Sequence, residues 1–141
     1  MEFRDRIALR TAKIRLHNIK GIDGNSRDGA FSIVLNGGYA DDYDLGDEIL
    51  YTGEGGNVNG RQVEDQVWNS PGNKALLISE LNAIPVRVTR GYKHKSPLSP
   101  GSGYRYGGLY MVTDHFAERG RDGYLICRFK LVKADQMIAN K

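Results

Sequence analysis

Between Tyr124 and Val132 the chain alternates with a period of two. Leu125, Cys127, Phe129 and Leu131 fall on one side, and Arg128 and Lys130 on the other. Only a β-strand sends successive side chains to opposite faces, so this run has to lie in a sheet with one face against a core. The period recurs at residues 30–36, where Phe31, Ile33 and Leu35 oppose Ser32, Val34 and Asn36, and at 85–90, where Val86 and Val88 oppose Arg87 and Arg90. Residues 48–52 and 109–113 read as two further strands. Eighteen of the 141 residues are glycine, which suits a turn-rich β protein. Two helices are predicted. One spans residues 3–13, from the spacing of Phe3, Ile7 and Leu9; the other spans 73–81, with Asn73 as its cap. Residues 21–24 read as a turn-rich link, 53–60 as a loop, and 93–103 as a basic loop rich in Pro, Gly and Ser. Five strands and two helices predict an α+β fold: a twisted, barrel-like antiparallel β-sheet with flanking helices.

The length fits one domain with a core of its own, placed at residues 1–133, and 134–141 reads as a tail or the start of a linker. The single cysteine, Cys127, excludes an intrachain disulfide and a Cys-based zinc site, and fits a reducing compartment. No apolar run approaches the ~20 residues of a membrane helix, and the charged opening MEFRDR does not read as a signal peptide. The net charge of +3 is small, but the charges are segregated. Asp41, Asp42, Asp44, Asp47, Glu48 and Glu54 lie together without a basic residue. Lys and Arg dominate on either side. Such segregation fits an acidic pocket in a basic surround, and equally a solvated surface with chance clustering.

The densest signal is the run from Asn36 to Gly56, NGGYADDYDLGDEILYTGEGG. Gly37 and Gly38 allow close backbone approach and present N–H donors. Tyr39 and Tyr51 suit the two faces of a planar ring, and Asp42 suits its edge. A carboxylate accepts from an amino group, which selects cytosine N4 or adenine N6 over a carbonyl. Two other readings stand beside this one. A Gly-Gly-Tyr turn is common, and Asp41, Asp42 and Asp44 can form a loop for a hard cation, although not with the spacing of the twelve-residue calcium loop.

Three blocks resemble the SET- and RING-associated (SRA or YDG) domain. The first is Phe3-x-x-Arg6-x-x-Leu9 with Gly21-Ile22-x-Gly24-x-Ser26-x-Asp28-Gly29-Ala30. The second is Gly37-Gly38-Tyr39-x-Asp41-Asp42-x-Asp44 through Tyr51-Thr52-Gly53-x-Gly55-Gly56. The third joins residues 85–90, the run Tyr104-Arg-Tyr-Gly-Gly-Leu-Tyr110, and Gly120-x-x-Gly123-Tyr-Leu-Ile-x-Arg128-Phe129. They occur in the family's order over about residues 3 to 133. The resemblance implies a PUA-like fold that reads 5-modified cytosine in double-stranded DNA, 5-methyl or 5-hydroxymethyl, by flipping the base out of the duplex. It implies a flipped-base pocket of Asn36, Gly37, Gly38, Tyr39, Asp42, Tyr51 and Thr52. Tyr39 and Tyr51 would stack on the base, Asp42 would hold its Watson–Crick edge, and the Thr52 backbone would help fix that edge. Ile19 and Lys20 fall in one duplex-inserting loop, and Arg61 and Gln62 in the opposite finger. The expected phosphate contacts are Lys13, Arg15, Arg27, Lys74, Lys93 and Lys95.

Some positions depart from the family pattern. Asn36 replaces a small residue beside the methyl group, where it would narrow the pocket or donate to a hydroxymethyl group. Glu54 stands where a small polar residue meets phosphate, and pairing with an arginine is the alternative for it. The finger is short, and the family's Tyr-Asp-Gly is Tyr106-Gly107-Gly108 here.

Catalysis finds little support in the residues. One cysteine cannot supply a zinc deaminase. His17, His94 and His115 are isolated in the sequence and read as solvated or phosphate-near, not as ligands. Asp42 has no evident partner nucleophile. The expectation is a reader that is not an enzyme and needs no cofactor or metal. The compact size and short finger resemble bacterial members, cytoplasmic and nucleoid-associated, in which the domain is joined to an HNH-type nuclease of a modification-dependent restriction system. The competing readings are a PUA-like RNA-binding module and a magnesium-dependent nuclease built on Asp41, Asp42 and Asp44.

Overall fold

The computed structural model describes residues 2–3 and 21–135. Ten strands and one helix are described. They are β1 (Glu2–Phe3), β2 (Ile22–Asn25), β3 (Gly29–Leu35), β4 (Tyr43–Asp44), β5 (Glu48–Thr52), β6 (Asn57–Val58), β7 (Arg61–Gln62), α1 (Pro71–Leu81), β8 (Val86–Gly91), β9 (Tyr104–Arg119) and β10 (Leu125–Lys133). The main sheet runs β2-β3-β8-β9-β10-β5-β4, with β1 paired to β9; β6 and β7 form a separate two-stranded ribbon. Among the described residues the main ladder stays open from β2 to β4 and does not close into a barrel. Every pair is antiparallel except β3 with β8. A parallel pair needs a long crossover. Here the chain between them carries β4 to β7 and α1.

The alternation in β10 has a structural cause. β10 lies between β9 and β5, and it pairs with both. Cys127, Phe129 and Leu131 enter the core beside Ile33, Leu35, Ile49, Leu76, Val86 and Val88. Each such buried side chain contributes about 1.5–3 kcal/mol. Three positions differ from the simple pattern: Leu125 is exposed, and Ile126 and Arg128 on the opposite face are buried. Burial of that arginine is part of the site described below.

Helix α1 begins with Pro71 in its first turn, where the missing N–H is no loss, after Ser70 as N-cap. Asn73 is not the cap. It is buried within the first turn, and its side chain serves the neighbouring loop. Ser79 knits the helix to the sheet: its hydroxyl accepts from Ala30 N at 2.8 Å and donates to Ala30 O at 3.0 Å. The helix therefore fixes β3, and β3 delivers the chain to the site. Two further expectations change. Residues 22–25 are a strand and not a turn-rich link. Phe3 pairs with Tyr104 in β1, so it does not start a helix; residues 4–13 of that expected helix lie outside the described residues.

Candidate functional site

At the end of β3 the chain passes through Asn36, Gly37 and Gly38 to Tyr39. Gly37 takes φ = 75°, and a Cβ there would stand 2.7 Å from the Lys93 carbonyl oxygen. Only glycine fits that crossing without strain. β5, paired to β10, carries Tyr51 and Thr52, both buried. Between these two segments lies a cavity of about 340 Å³, walled by Gly37, Gly38, Tyr39, Asp42 and Tyr51. That volume is at the small-ligand end of the range for binding sites.

Asp42 is fixed from behind. Its Oδ1 accepts from Thr52 N at 2.6 Å. Thr52 Oγ1 accepts from Arg128 Nη1 at 3.2 Å, and Arg128 Nε lies 3.4 Å from Glu118 Oε1. Burial pushes the Asp42 carboxyl up to about 6, against the hydrogen bonds from Thr52 and the charges of Arg128 and His94. Tyr39 is braced as well: its hydroxyl accepts from Gly55 N at 3.1 Å. Burial raises the Tyr39 phenol above its ordinary value. Two aromatic side chains and one held carboxylate therefore share one cavity. That set offers a planar heterocycle apolar faces and an acceptor for an amino group.

The structure sorts the remaining predicted residues. Thr52 does not line the cavity; it holds Asp42 from beneath. Asn36 lines the cavity, and its amide is anchored on two sides: Oδ1 accepts from Lys93 N at 3.0 Å, and Nδ2 donates to the Tyr104 hydroxyl at 3.4 Å. It braces the 91–103 loop, and the second N–H of its Nδ2 is left for a ligand in the cavity. Arg61 is exposed beside the hairpin tip. Gln62 is corrected: it is buried at the hairpin root, where Nε2 donates to Gly55 O and Glu64 O and its N–H donates to Asp122. A side chain so engaged cannot enter a duplex. Lys93 lines the cavity, whereas Arg27, in the β2–β3 turn, and Lys74, on α1, do not. Lys13, Arg15, Ile19 and Lys20 lie outside the described residues.

The hairpin tip was missed. Asn59 and Gly60 turn at φ = 51° and 84° between the paired Val58 and Arg61, and both line the cavity mouth. An Asn-Gly dipeptide between short strands is the sequence signal for such a two-residue turn. Among the described residues Glu54 forms no ion pair with an arginine. Its Oε2 accepts from Gly72 N at 2.8 Å in the first turn of α1, where a helix favours a carboxylate.

The Asp41–Asp42–Asp44 cluster does not converge. Asp41 Oδ1 accepts from Arg121 N, and Asp42 faces the cavity. Asp44 is buried in a bidentate pair with Arg90, at 2.6 and 2.9 Å, with His94 Nε2 at 2.9 Å. Burial by itself would raise Asp44, but the hydrogen bonds from His94 and Arg90 hold it well below the usual carboxylate range. His94 is therefore a buried partner and not a solvated residue. Among the described residues, the convergent group with metal-ligand chemistry is Glu80, Asp114 and His115. It lies apart from this cavity, and its His115 Nδ1 is already 2.7 Å from Glu80 Oε1. Cys127 is buried, and burial pushes its thiol up to about 11, which suits packing and not a nucleophile.

Comparison with known proteins agrees with this geometry. Residues 1–137 match the family model described as the SAD/SRA domain. A UHRF1-like protein of Cryptococcus neoformans is 39% identical over 130 residues, covering 83% of this chain and 38% of the relative. The E3 ubiquitin-protein ligase UHRF1 of Danio rerio is 37% identical over 155 residues, covering 93% of this chain and 20% of the relative. The chain thus spans well under half the length of these curated relatives. Among solved structures, the modification-dependent TagI restriction endonuclease superposes with a TM-score of 0.91 at 44% identity, over 99% of this chain and 51% of that one. The SRA domain of SUVH5 bound to fully hydroxymethylated CG DNA gives a TM-score of 0.78 at 38% identity, over 94% and 86% of the two chains. With its fold, its Tyr39–Asp42–Tyr51 cavity and these matches together, the chain belongs to the SAD/SRA domain family.

Proposed function

We propose that this chain binds double-stranded DNA at a 5-modified cytosine and holds that base, extruded from the duplex, in the cavity between Tyr39 and Tyr51. The observation that carries the reading is the Asp42 carboxylate. One oxygen is tied to Thr52 N, and the group borders a cavity walled by two tyrosines. An acceptor at that place suits the cytosine amino group. The SUVH5 SRA domain has been crystallised with hemimethylated, fully methylated and hydroxymethylated CG DNA, and these related structures support the same ligand class here.

Extrusion costs a few kcal/mol, offset by stacking of ~1–3 kcal/mol per base and by hydrogen bonds to the base edge. A buried methyl adds on the order of 0.8 kcal/mol, so preference for the modified base is modest. The exposed Asn59–Gly60–Arg61 tip supplies one wedge into the duplex, and Ile19 the opposing one. Lys93 and Lys95 grip the backbone. Residues 1–133 act as the reader domain, at the cellular DNA, which in a bacterium is the nucleoid. A separate HNH-type nuclease domain joined to it would make a modification-dependent restriction enzyme, as the TagI likeness suggests. Among the described residues, no helix is long and apolar enough to cross a membrane.

Extrusion is tested with a duplex carrying 2-aminopurine beside a single 5-methylcytosine. Binding raises its fluorescence as the stack opens. Unchanged fluorescence at saturation contradicts extrusion, and displacement by duplex RNA as readily as by DNA favours an RNA-binding module instead.

A further inference from the structure

The last turn of α1 lies against β9, outside the walls of the cavity. Glu80 of α1 meets Asp114 and His115 of β9 there, and one donor atom of each lies within 4.8 Å of the other two. In an even strand consecutive side chains point to opposite faces, so Asp114 and His115 would part. Here the register of β9 against β10 shifts beside them. Lys130 pairs with Asp114 and Leu131 with Val112, which leaves Thr113 as an extra residue. A bulge of this kind bends the strand and re-aims its side chains.

The three side chains are held as a set. Trp68 packs edge-on against Phe129 of the core at 5.6 Å and against the His115 ring at 5.3 Å, which limits rotation of the imidazole. Asp114 Oδ1 accepts from His115 N at 2.8 Å, and Glu80 Oε1 lies 2.7 Å from His115 Nδ1. Each carboxylate keeps a second oxygen for another partner. Among the described residues neither carboxylate forms an ion pair with a lysine or arginine. Lys130, directly across from Asp114, is paired with Glu48 at 3.2 Å instead. The group therefore carries net negative charge whether or not the imidazole is protonated. Glu80 and His115 keep 25% and 44% of their side-chain surface in solvent, so an ion can reach them. A nitrogen donor among carboxylates suits a first-row divalent metal ion, whereas magnesium and calcium favour oxygen alone.

We propose that Glu80, Asp114 and His115 bind a first-row divalent metal ion such as zinc, which clasps α1 to β9. Ligands at about 2.0–2.2 Å from zinc stand roughly 3.3–3.5 Å apart, and small rotations of the two carboxylates close the spacing to that. Water completes the four-coordinate shell. The ion takes a lone pair of the imidazole, and a proton held there passes to solvent. The clasp sits one residue from Ser79, which ties the same turn of α1 to Ala30 of β3. One turn of the helix is then fixed to both β3 and β9. The site is independent of base reading, since none of its residues lines the cavity.

The test uses the whole chain, stripped of metal with a chelator and dialysed. Zinc is titrated calorimetrically into the wild type, Asp114→Asn and His115→Ala. Asp114→Asn keeps an acceptor for His115 N, so it decides the matter even if His115→Ala fails to fold. The wild type takes up one ion per chain. Each substitution weakens the affinity by at least about tenfold, the lower end of what losing even a supporting partner of a ligand costs. Zinc at a hundredfold excess over its Kd raises the unfolding midpoint of the wild type by about 5–10 °C, and that of each variant by about half as much or less. Cobalt(II) in place of zinc gives a visible absorption that His115→Ala changes. Uptake that both substitutions leave unaltered means an adventitious ion only and overturns the site. So does calcium binding as tightly as zinc, because the imidazole then contributes nothing, and so does a wild type that takes up no ion.

Discussion

The floor of the cavity and the hairpin over its mouth are built on opposite terms. In the floor every functional group is answered from behind. Asp42 leans on Thr52, Thr52 on Arg128, and Arg128 on Glu118. Beside it Arg90 ties Asp44 to the Tyr110 hydroxyl at 3.1 Å, while His94 closes the other side of Asp44. Among the described residues the β6–β7 hairpin is held at its root, through Gln62 and by Val63 N donating to Gly56 O, and by a cross-brace from Asn57 Nδ2 to Gly38 O at 3.1 Å. Val58, Asn59, Gly60 and Arg61 are exposed. Reading a base edge needs groups fixed to fractions of an ångström, and a buried network supplies that. A wedge needs reach and a free tip, which a short exposed hairpin supplies.

The sharpest way to break the contrast is to cut the floor. Asp44→Ala leaves Arg90 buried without its partner, and a loss of about 3–5 kcal/mol is expected in urea denaturation. A loss under about 1 kcal/mol would mean that the network does not hold the floor. The low pKa of Asp44 also sets a direction with pH. Its contribution is fully present above the ordinary carboxylate pKa and is lost as pH falls through the lower folded value.

Next comes Asp42→Asn, which sharpens the assignment of the edge. Thr52 N claims one acceptor, so the amide can satisfy it only by turning its Nδ2 toward the cavity. A donor now faces the base. Preference for modified cytosine is lost, by about 1–3 kcal/mol of discrimination, and a thymine at that site binds as well or better. Competition between duplexes differing in that one base reads the change. Retained cytosine preference would show that Asp42 does not read the edge.

Smaller is the effect of pH on binding. Asp42 titrates near 6 in the free protein, and its ionised form is the one that accepts from the amino group. Moving from pH 7.5 to 5 should therefore weaken modified-cytosine binding about tenfold, while Asp42→Asn stays flat. For stability the sign is opposite: a raised folded pKa means that protonation below about 6 favours the fold. Smallest is the hairpin tip. Asn59→Ala places Ala in the left-handed turn at φ = 51°, which costs roughly 1 kcal/mol or less. It should weaken modified and unmodified duplexes by a similar few-fold factor. A selective loss at the modified site would move the hairpin from wedge to reader.

The same contrast explains what the sequence revealed. The strands at 30–36, 48–52, 85–90 and 124–132 were legible because half-buried sheet imposes a period of two. Tyr39, Asp42 and Tyr51 were legible because the Gly-Gly turn and the family motif mark them together. Other residues were hidden by tertiary pairing. Asp44 and His94 look like surface residues until the fold brings them 2.9 Å apart across 50 positions. Asn36 reads as a pocket residue, and it lines the cavity, but its second task, holding Lys93 N through its oxygen, shows only in the fold. Gln62 adjoins the hairpin tip in sequence, yet in β7 its side chain turns into the protein. The parallel pairing of β3 and β8 depends on a crossover of half a hundred residues, which no local pattern encodes.

The central claim is that the Tyr39–Asp42–Tyr51 cavity reads a modified cytosine. The most direct test is fluorescence anisotropy with short duplexes at one fixed salt concentration. They differ in a single cytosine that is unmodified, 5-methyl or 5-hydroxymethyl, and each is measured with the wild type and with Asp42→Ala. The account predicts a several-fold preference for a modified form in the wild type, and equal, salt-sensitive binding of all three in the variant. Equal binding of the three by the wild type, or an undiminished preference in Asp42→Ala, would contradict it.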